Sequence, residues 1–242
     1  MVWLVGAGPG DPGLLTVRGL EVLQAAEVVL HDALVGAAIL ELIPGEAVVI
    51  DVGKRRGRQM AEQRAIGELL VEHARAGRRV VRLKGGDPLV FGRGAEEMLQ
   101  LREPGVDYEL VPGVSVAVAG PAMAGIPVTH RELSGAFTVV TGHDAASGRR
   151  PVSWQALAGT DHTLVILMGL SRLGDIAAVL VAAGRDPATP VAVVQAPSLP
   201  TQMVVTGTLS DIAERVTEAG LRAPATTIVG PVASLHEALR WR

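Results

Sequence analysis

Short apolar runs alternate with stretches of helical spacing through the first half of the chain. Val2–Val5, Glu27–Leu30, Ala47–Asp51, Val80–Leu83 and Tyr108–Val111 read as strands, each followed within a few residues by Gly, Pro or Asp. Between them the pattern predicts helices from Thr16 to Ala26, from Met60 to Arg75 and over Ala95–Leu101. Thr16 is placed to cap the first of these and Gly77 to end the second. Strand–helix alternation argues for a mostly parallel sheet covered by helices.

The Pro- and Gly-rich segment 112–127 holds a short helical pattern and then a break, which marks the passage to a second domain. The expected domains are therefore 1–113 and 114–242. The second half repeats the theme, with strands at Phe137–Thr141, Thr163–Leu167, Val191–Val194, Met203–Thr206 and Thr226–Val229 and helices at Leu173–Ala183 and Asp211–Ala219. The segment from Val194 to Met203 is too short for a helical crossover, so those two strands are expected to pair antiparallel. The fold class is α/β, with two α/β domains built on mostly parallel sheets.

Composition narrows the choices. Over the 242 residues, apolar residues make up 48% and charged residues 19%, which excludes a disordered chain. The net charge of -3 and the six aromatic residues (3 Trp, 1 Tyr, 2 Phe) give no footprint for nucleic acid. The uncharged stretches 110–129 and 187–210 are broken by prolines, so no membrane span is expected. The chain opens directly into a strand with no basic run, so no signal peptide is expected, and a cytoplasmic protein fits. With no cysteine and six scattered histidines, a metal site is not expected.

Three constellations are candidates for chemistry. Gly6-Ala-Gly8-Pro9-Gly10-Asp11-Pro12 follows the first strand, and Asp32 ends the second, where a dinucleotide fold would place its ribose-binding acid. Asp11 stands where that fingerprint needs its third glycine, and Pro9 and Pro12 remove amide donors that a diphosphate would use. The second constellation, Arg82-Leu-Lys84-Gly85-Gly86-Asp87-Pro88 with Phe91-Gly-Arg93-Gly94, lies at a strand's carboxyl end, where open α/β sheets bind ligands. The third, Lys54-Arg55-Arg56-Gly57-Arg58, is either a solvated loop or a seat for a polyanion; Arg93 and Arg131, after His130, would add to its field.

These residues resemble the tetrapyrrole methylase family nearly end to end. The Gly-Pro-Gly-Asp loop marks the wider family, which includes precorrin methyltransferases and ribosomal-RNA methylases. Asp32-Ala-Leu-Val35, Gly53-Lys-Arg55, Val81-Arg-Leu-Lys-Gly-Gly-Asp-Pro88, Val111-Pro-Gly-Val114, Gly125-Ile-Pro-Val-Thr-His-Arg131 and Leu167-Met-Gly169 narrow the resemblance to the branch acting on uroporphyrinogen III. The resemblance implies a cytoplasmic homodimer of two α/β domains with S-adenosylmethionine in a ligand cleft between them. It implies C-methylation of uroporphyrinogen III at two pyrrole carbons to give precorrin-2, on the way to sirohaem or cobalamin. It places Pro9, Gly85, Gly86, Asp87, Val90, Ser115, Val116, Met168, Pro197 and Ala225 along the cofactor. It assigns Asp32 as proton acceptor and Lys54 as donor, with Arg55, Arg56, Arg93, His130 and Arg131 toward the carboxylates of the tetrapyrrole. Pro197 departs from the glycine common at its position, and Gly67 from an asparagine. Within the family another tetrapyrrole (precorrin) methyltransferase stays open, and from a different class an NAD-binding oxidoreductase is the rival on local pattern.

Overall fold

The computed structural model describes residues 1–53, 59–143 and 151–241. The chain forms two compact units, Met1–Ser115 and Val116–Arg242. They part at Ser115, where the sequence alone suggests Gly113.

The first unit runs β1 (Val2–Gly6), α1 (Val17–Gln24), β2 (Val28–His31), α2 (Ala37–Leu40), β3 (Val48–Asp51), α3 (Gln59–Arg75), β4 (Val80–Lys84), α4 (Gly94–Arg102) and β5 (Tyr108–Val111). Its strands are ordered β3-β2-β4-β1-β5, and every pairing is parallel, as the strand–helix alternation predicts. Side chains alternate across the sheet. Val5, Val29, Val81 and Leu83 face Val22 and Leu23 of α1, whereas Leu4, Leu30 and Val80 face Ile66 and Leu70 of α3 and Leu101 of α4. Burial on both faces explains why these strands read as unbroken Val/Leu runs. Thr16 caps α1, its Oγ1 accepting the Gly19 N–H at 3.0 Å. Gly77 follows α3 with φ +78°, a conformation that a side chain would resist. Because the strands are parallel, their carboxyl ends and the loops after them share one edge.

The second unit runs α5 (Val116–Met123), β6 (Phe137–Thr141), α6 (Trp154–Ala158), β7 (Thr163–Leu167), α7 (Leu173–Ala182), β8 (Pro190–Gln195), β9 (Met203–Thr208), α8 (Ile212–Glu218), β10 (Ala225–Val229) and α9 (His236–Leu239). Its order is β6-β7-β10-β8-β9. Leu164, Ile166, Val191 and Val193 pack on Leu173, Ile176 and Leu180 of α7 and on Ile212 of α8. The expectation of a mostly parallel sheet fails here. Only β6 and β7 run parallel, while β10 is antiparallel to both β7 and β8, and β9 to β8. The β8–β9 hairpin was expected, and it is the cause. It reverses the chain direction, and the α8 crossover keeps the new direction, so β10 enters between β7 and β8 against both.

Candidate functional site

At the carboxyl edge of the first unit the loops after β1, β4 and β5 interlock through glycine backbone. Gly8 and Gly86 exchange hydrogen bonds, with Gly8 N–H to Gly86 O at 3.1 Å and Gly86 N–H to Gly8 O at 2.8 Å. The Ala7 N–H donates to Lys84 O at 2.8 Å. A Cβ on Gly113 would lie 2.3 Å from Gly86 O and 2.6 Å from Gly6 Cα, closer than real side chains tolerate. Asp87 braces the same loops, accepting the Leu89 N–H at 2.8 Å and the Gly113 N–H at 3.1 Å. The amides of Ala7 and Gly8, which a diphosphate cradle would need free, are thus already committed. Asp11 likewise accepts the Gly13 N–H at 2.8 Å, opening the short 3₁₀ turn Pro12–Leu14.

Asp32 follows β2 at this edge, its N–H bonded to Leu83 O at 3.2 Å. Its carboxylate is held from below by two cations of β4. Arg82 Nη2 donates to Asp32 Oδ1, and Lys84 Nζ lies 3.7 Å from Asp32 Oδ2. Beneath them Glu97, in the first turn of α4, takes Arg82 Nε at 3.1 Å and Lys84 Nζ at 3.1 Å. Gln63 Nε2 of α3 donates to the same Glu97 oxygen at 2.9 Å. The Arg82 and Lys84 side chains are 2% exposed and Glu97 is 0% exposed, whereas Asp32 is 31% exposed. Burial, and then the adjacent Arg82 guanidinium, pull the Lys84 ammonium below the usual lysine range, while Asp32 and Glu97 pull the other way. The result is a charge-balanced cluster that shows one carboxylate to solvent.

In the second unit Met168, Pro197 and Ala225 also share one edge, for a reason that lies in the register. Thr226 pairs with Leu167 and Ala225 with Gln195, so the start of the antiparallel β10 sits beside the ends of β7 and β8. Ala196 N–H donates to Pro224 O at 3.1 Å. Met168, Ala196 and Ser198 hold φ of +56°, +44° and +70°, strained values for residues with side chains. Strain of this kind concentrates at functional sites.

Residues 1–213 match the tetrapyrrole (corrin/porphyrin) methylases. The chain belongs to that family. A uroporphyrinogen-III C-methyltransferase of a Sinorhizobium species is 49% identical over 99% of this chain and 86% of its own length. An S-adenosyl-L-methionine-dependent uroporphyrinogen III methyltransferase of Methanosarcina barkeri is 47% identical over 98% of this chain and 94% of its own. The chain spans about half the length of the siroheme synthases it also matches, 50% of one from Aeromonas hydrophila. Among solved structures, a uroporphyrin-III C-methyl transferase from Thermus thermophilus complexed with S-adenyl homocysteine is 41% identical. It matches 97% of this chain and 93% of its own, with a TM-score of 0.82.

Several residues that the tetrapyrrole methylase resemblance singles out are engaged locally. Arg93 holds φ +62° and its Nε lies 3.1 and 3.0 Å from the two oxygens of Glu96, one helical turn ahead. His130 Nδ1 accepts the Glu132 N–H at 3.2 Å within its own turn, beside the exposed Arg131. Val90 is exposed, between exposed Leu89 and Phe91. Ser115 closes the first unit and Val116 opens the second. Lys54, Arg55 and Arg56 lie outside the described residues. The sequence reading missed Arg82, Lys84 and Glu97 as the supports of Asp32. A signal existed: Arg82 and Lys84 are two cations on one face of a central strand in a parallel sheet, where no solvent reaches.

Proposed function

We propose that this chain transfers methyl groups from S-adenosylmethionine to two pyrrole carbons of uroporphyrinogen III, giving precorrin-2 for sirohaem or cobalamin synthesis. What carries this reading is the match over nearly the full length of two relatives named for that reaction. The geometry of the first unit fits it. The amides of Ala7 and Gly8 in the loop after β1 are committed, and Asp11, Asp32 and Asp87 stand at the carboxyl edge, a setting that disfavours a diphosphate and suits a cationic ligand. Exposed Leu89, Val90 and Phe91 next to glycine backbone suit the apolar faces of an adenosyl group.

When bound, S-adenosylmethionine supplies a methyl group on a positively charged sulfur, already activated, so alignment matters more than activation. Pro9, Gly85, Gly86 and Asp87 in the first unit are proposed to line it, with Val90, Ser115 and Val116. In the second unit Met168, Pro197 and Ala225 take that role. Methylation of a pyrrole carbon leaves a cationic ring system that must lose a proton, and Asp32 is proposed to accept it: a carboxylate held by two cations and open to solvent on one side. Lys54 is proposed as proton donor. Arg55, Arg56, Arg93, His130 and Arg131 are proposed to meet the substrate's carboxylates. The chain is further proposed to work as a homodimer in the cytoplasm, as the family resemblance implies.

Calorimetric titration with S-adenosylhomocysteine, with NAD as control, is the first test. Binding of the first in the micromolar range and none of the second is expected. The reverse result would return the β1 loop to a dinucleotide fold and discard the methyl-transfer reading.

A further inference from the structure

The buried charges beneath Asp32 call for an explanation that packing does not supply. Val80, Arg82 and Lys84 occupy the same face of β4, and the first of them belongs to an apolar cluster with Leu4, Leu30, Ile66 and Leu70. Apolar side chains at the other two positions would extend that cluster without the desolvation that an ion pair suffers in a protein interior. The chain instead buries a guanidinium and an ammonium there, and then buries Glu97 to meet them. Stability is a poor reason for such an arrangement, since well-packed apolar replacements are often neutral or stabilising.

The orientation of the cluster is more informative. Both cations bind inward to Glu97 and outward to Asp32, one to each Asp32 oxygen. Arg82 is further fixed by Leu83 O at 3.2 Å and Leu30 O at 3.4 Å, carbonyls of β4 and β2. Gln63 steadies Glu97 from α3. The direction of every contact runs from the buried core outward to the one carboxylate that faces solvent.

We infer that Glu97 is a positioning residue, which anchors Arg82 and Lys84 so that they hold the Asp32 carboxylate in place for proton transfer. The inference rests on the reading of Asp32 as the proton acceptor. Glu97 balances the two cations, and without its charge both would turn their full attraction on Asp32, making it a poorer base and pulling it inward. The effect belongs to the chemical step. Cofactor binding, which the inference does not route through Glu97, stays as it was.

The test is a double-mutant cycle on the full chain, comparing wild type, Glu97→Gln, Asp32→Asn and the double variant. Methyl transfer is followed with a radiolabelled methyl group so that slow turnover is still counted, alongside thermal melting and S-adenosylhomocysteine affinity. Glu97→Gln is expected to lower kcat by about tenfold or more, within the range of a lost acid–base contribution, with S-adenosylhomocysteine affinity held within about twofold. In the Asp32→Asn background the same substitution is expected to cost nothing further, because its effect passes through Asp32. Wild-type kcat in Glu97→Gln, or an undiminished loss in the Asp32→Asn background, overturns the positioning role and leaves Asp32 as the base. Wild-type turnover in Asp32→Asn overturns the reading of Asp32 itself, and the inference with it. A merely structural Glu97 would lower cofactor affinity and kcat together. If Glu97→Gln does not melt cooperatively, Glu97→Asp carries the same cycle, since it keeps the buried charge and draws the carboxylate back from Arg82 and Lys84.

Discussion

An ammonium that is 2% exposed is an expensive group to keep charged, and Lys84 is such a group. Burial and Arg82 depress its pKa in the folded chain, so the unfolded chain binds that proton more tightly. Between the depressed value and about 10.4, the ordinary lysine value, raising the pH therefore favours the folded state. The sign is opposite to that of a lysine stabilised by a carboxylate. Melting temperatures of wild type and Lys84→Met, compared from neutral to alkaline pH, are expected to show wild type gaining on the variant as pH rises. A constant gap would mean that Lys84 is not held down by burial. The sequence singles out Asp32 by its place after a strand, and it puts Arg82 and Lys84 near a candidate ligand loop. It does not show that both cations lie buried between Asp32 and Glu97, because that contact joins β4 to α4 and to the end of β2 across the fold.

At the scale of elements, the close approach of three loops is the strictest demand this chain meets. Gly6, Gly86 and Gly113 bring backbone against backbone, with no room for a Cβ on Gly6 or Gly113. Gly113→Ala is expected to lower stability by roughly 1–3 kcal/mol, as overpacking does, and to weaken S-adenosylhomocysteine binding as the loops part. Gly45→Ala is the control, because nothing lies within 4 Å of its would-be Cβ. Equal melting temperatures for the two variants would show that the loops have slack to absorb a methyl group. Strand positions were legible at this scale: Tyr108–Val111, Phe137–Thr141 and Thr163–Leu167 fall where their apolar runs say. The helices α2 and α6, of 4 and 5 residues, were not, since one turn holds too few positions to show a period. The interlocking of the glycines was likewise hidden, because it joins residues that are far apart in sequence.

At the scale of the whole molecule, alternation of strands and helices predicts parallel pairing only while every connection is a crossover. That holds throughout the first unit. In the second, the hairpin between β8 and β9 reverses direction for the strand after it, and it thereby brings Ala225 alongside Gln195 and Thr226 alongside Leu167, the residue before Met168. The sequence announced the hairpin, and the insertion of β10 between β7 and β8 was the step it did not carry. Charge is also a property at this scale. The chain bears a net -3, yet it concentrates four cations at Lys54, Arg55, Arg56 and Arg58. A uniformly acidic surface would repel a polycarboxylate tetrapyrrole, so the proposed substrate must be drawn in by a local field against the global one. Fields of exposed charges are screened over about 8 Å at physiological ionic strength and about 3 Å at 1 M salt. The substrate KM is therefore expected to rise steeply with added salt, while the KM for S-adenosylmethionine, which carries few charges, moves little. Replacing Arg55 and Arg56 together by Gln should flatten that slope and raise KM at low salt, with kcat less affected. Steady-state rates at several salt concentrations read both quantities, and a substrate KM indifferent to salt would remove this basic run from the binding of the tetrapyrrole.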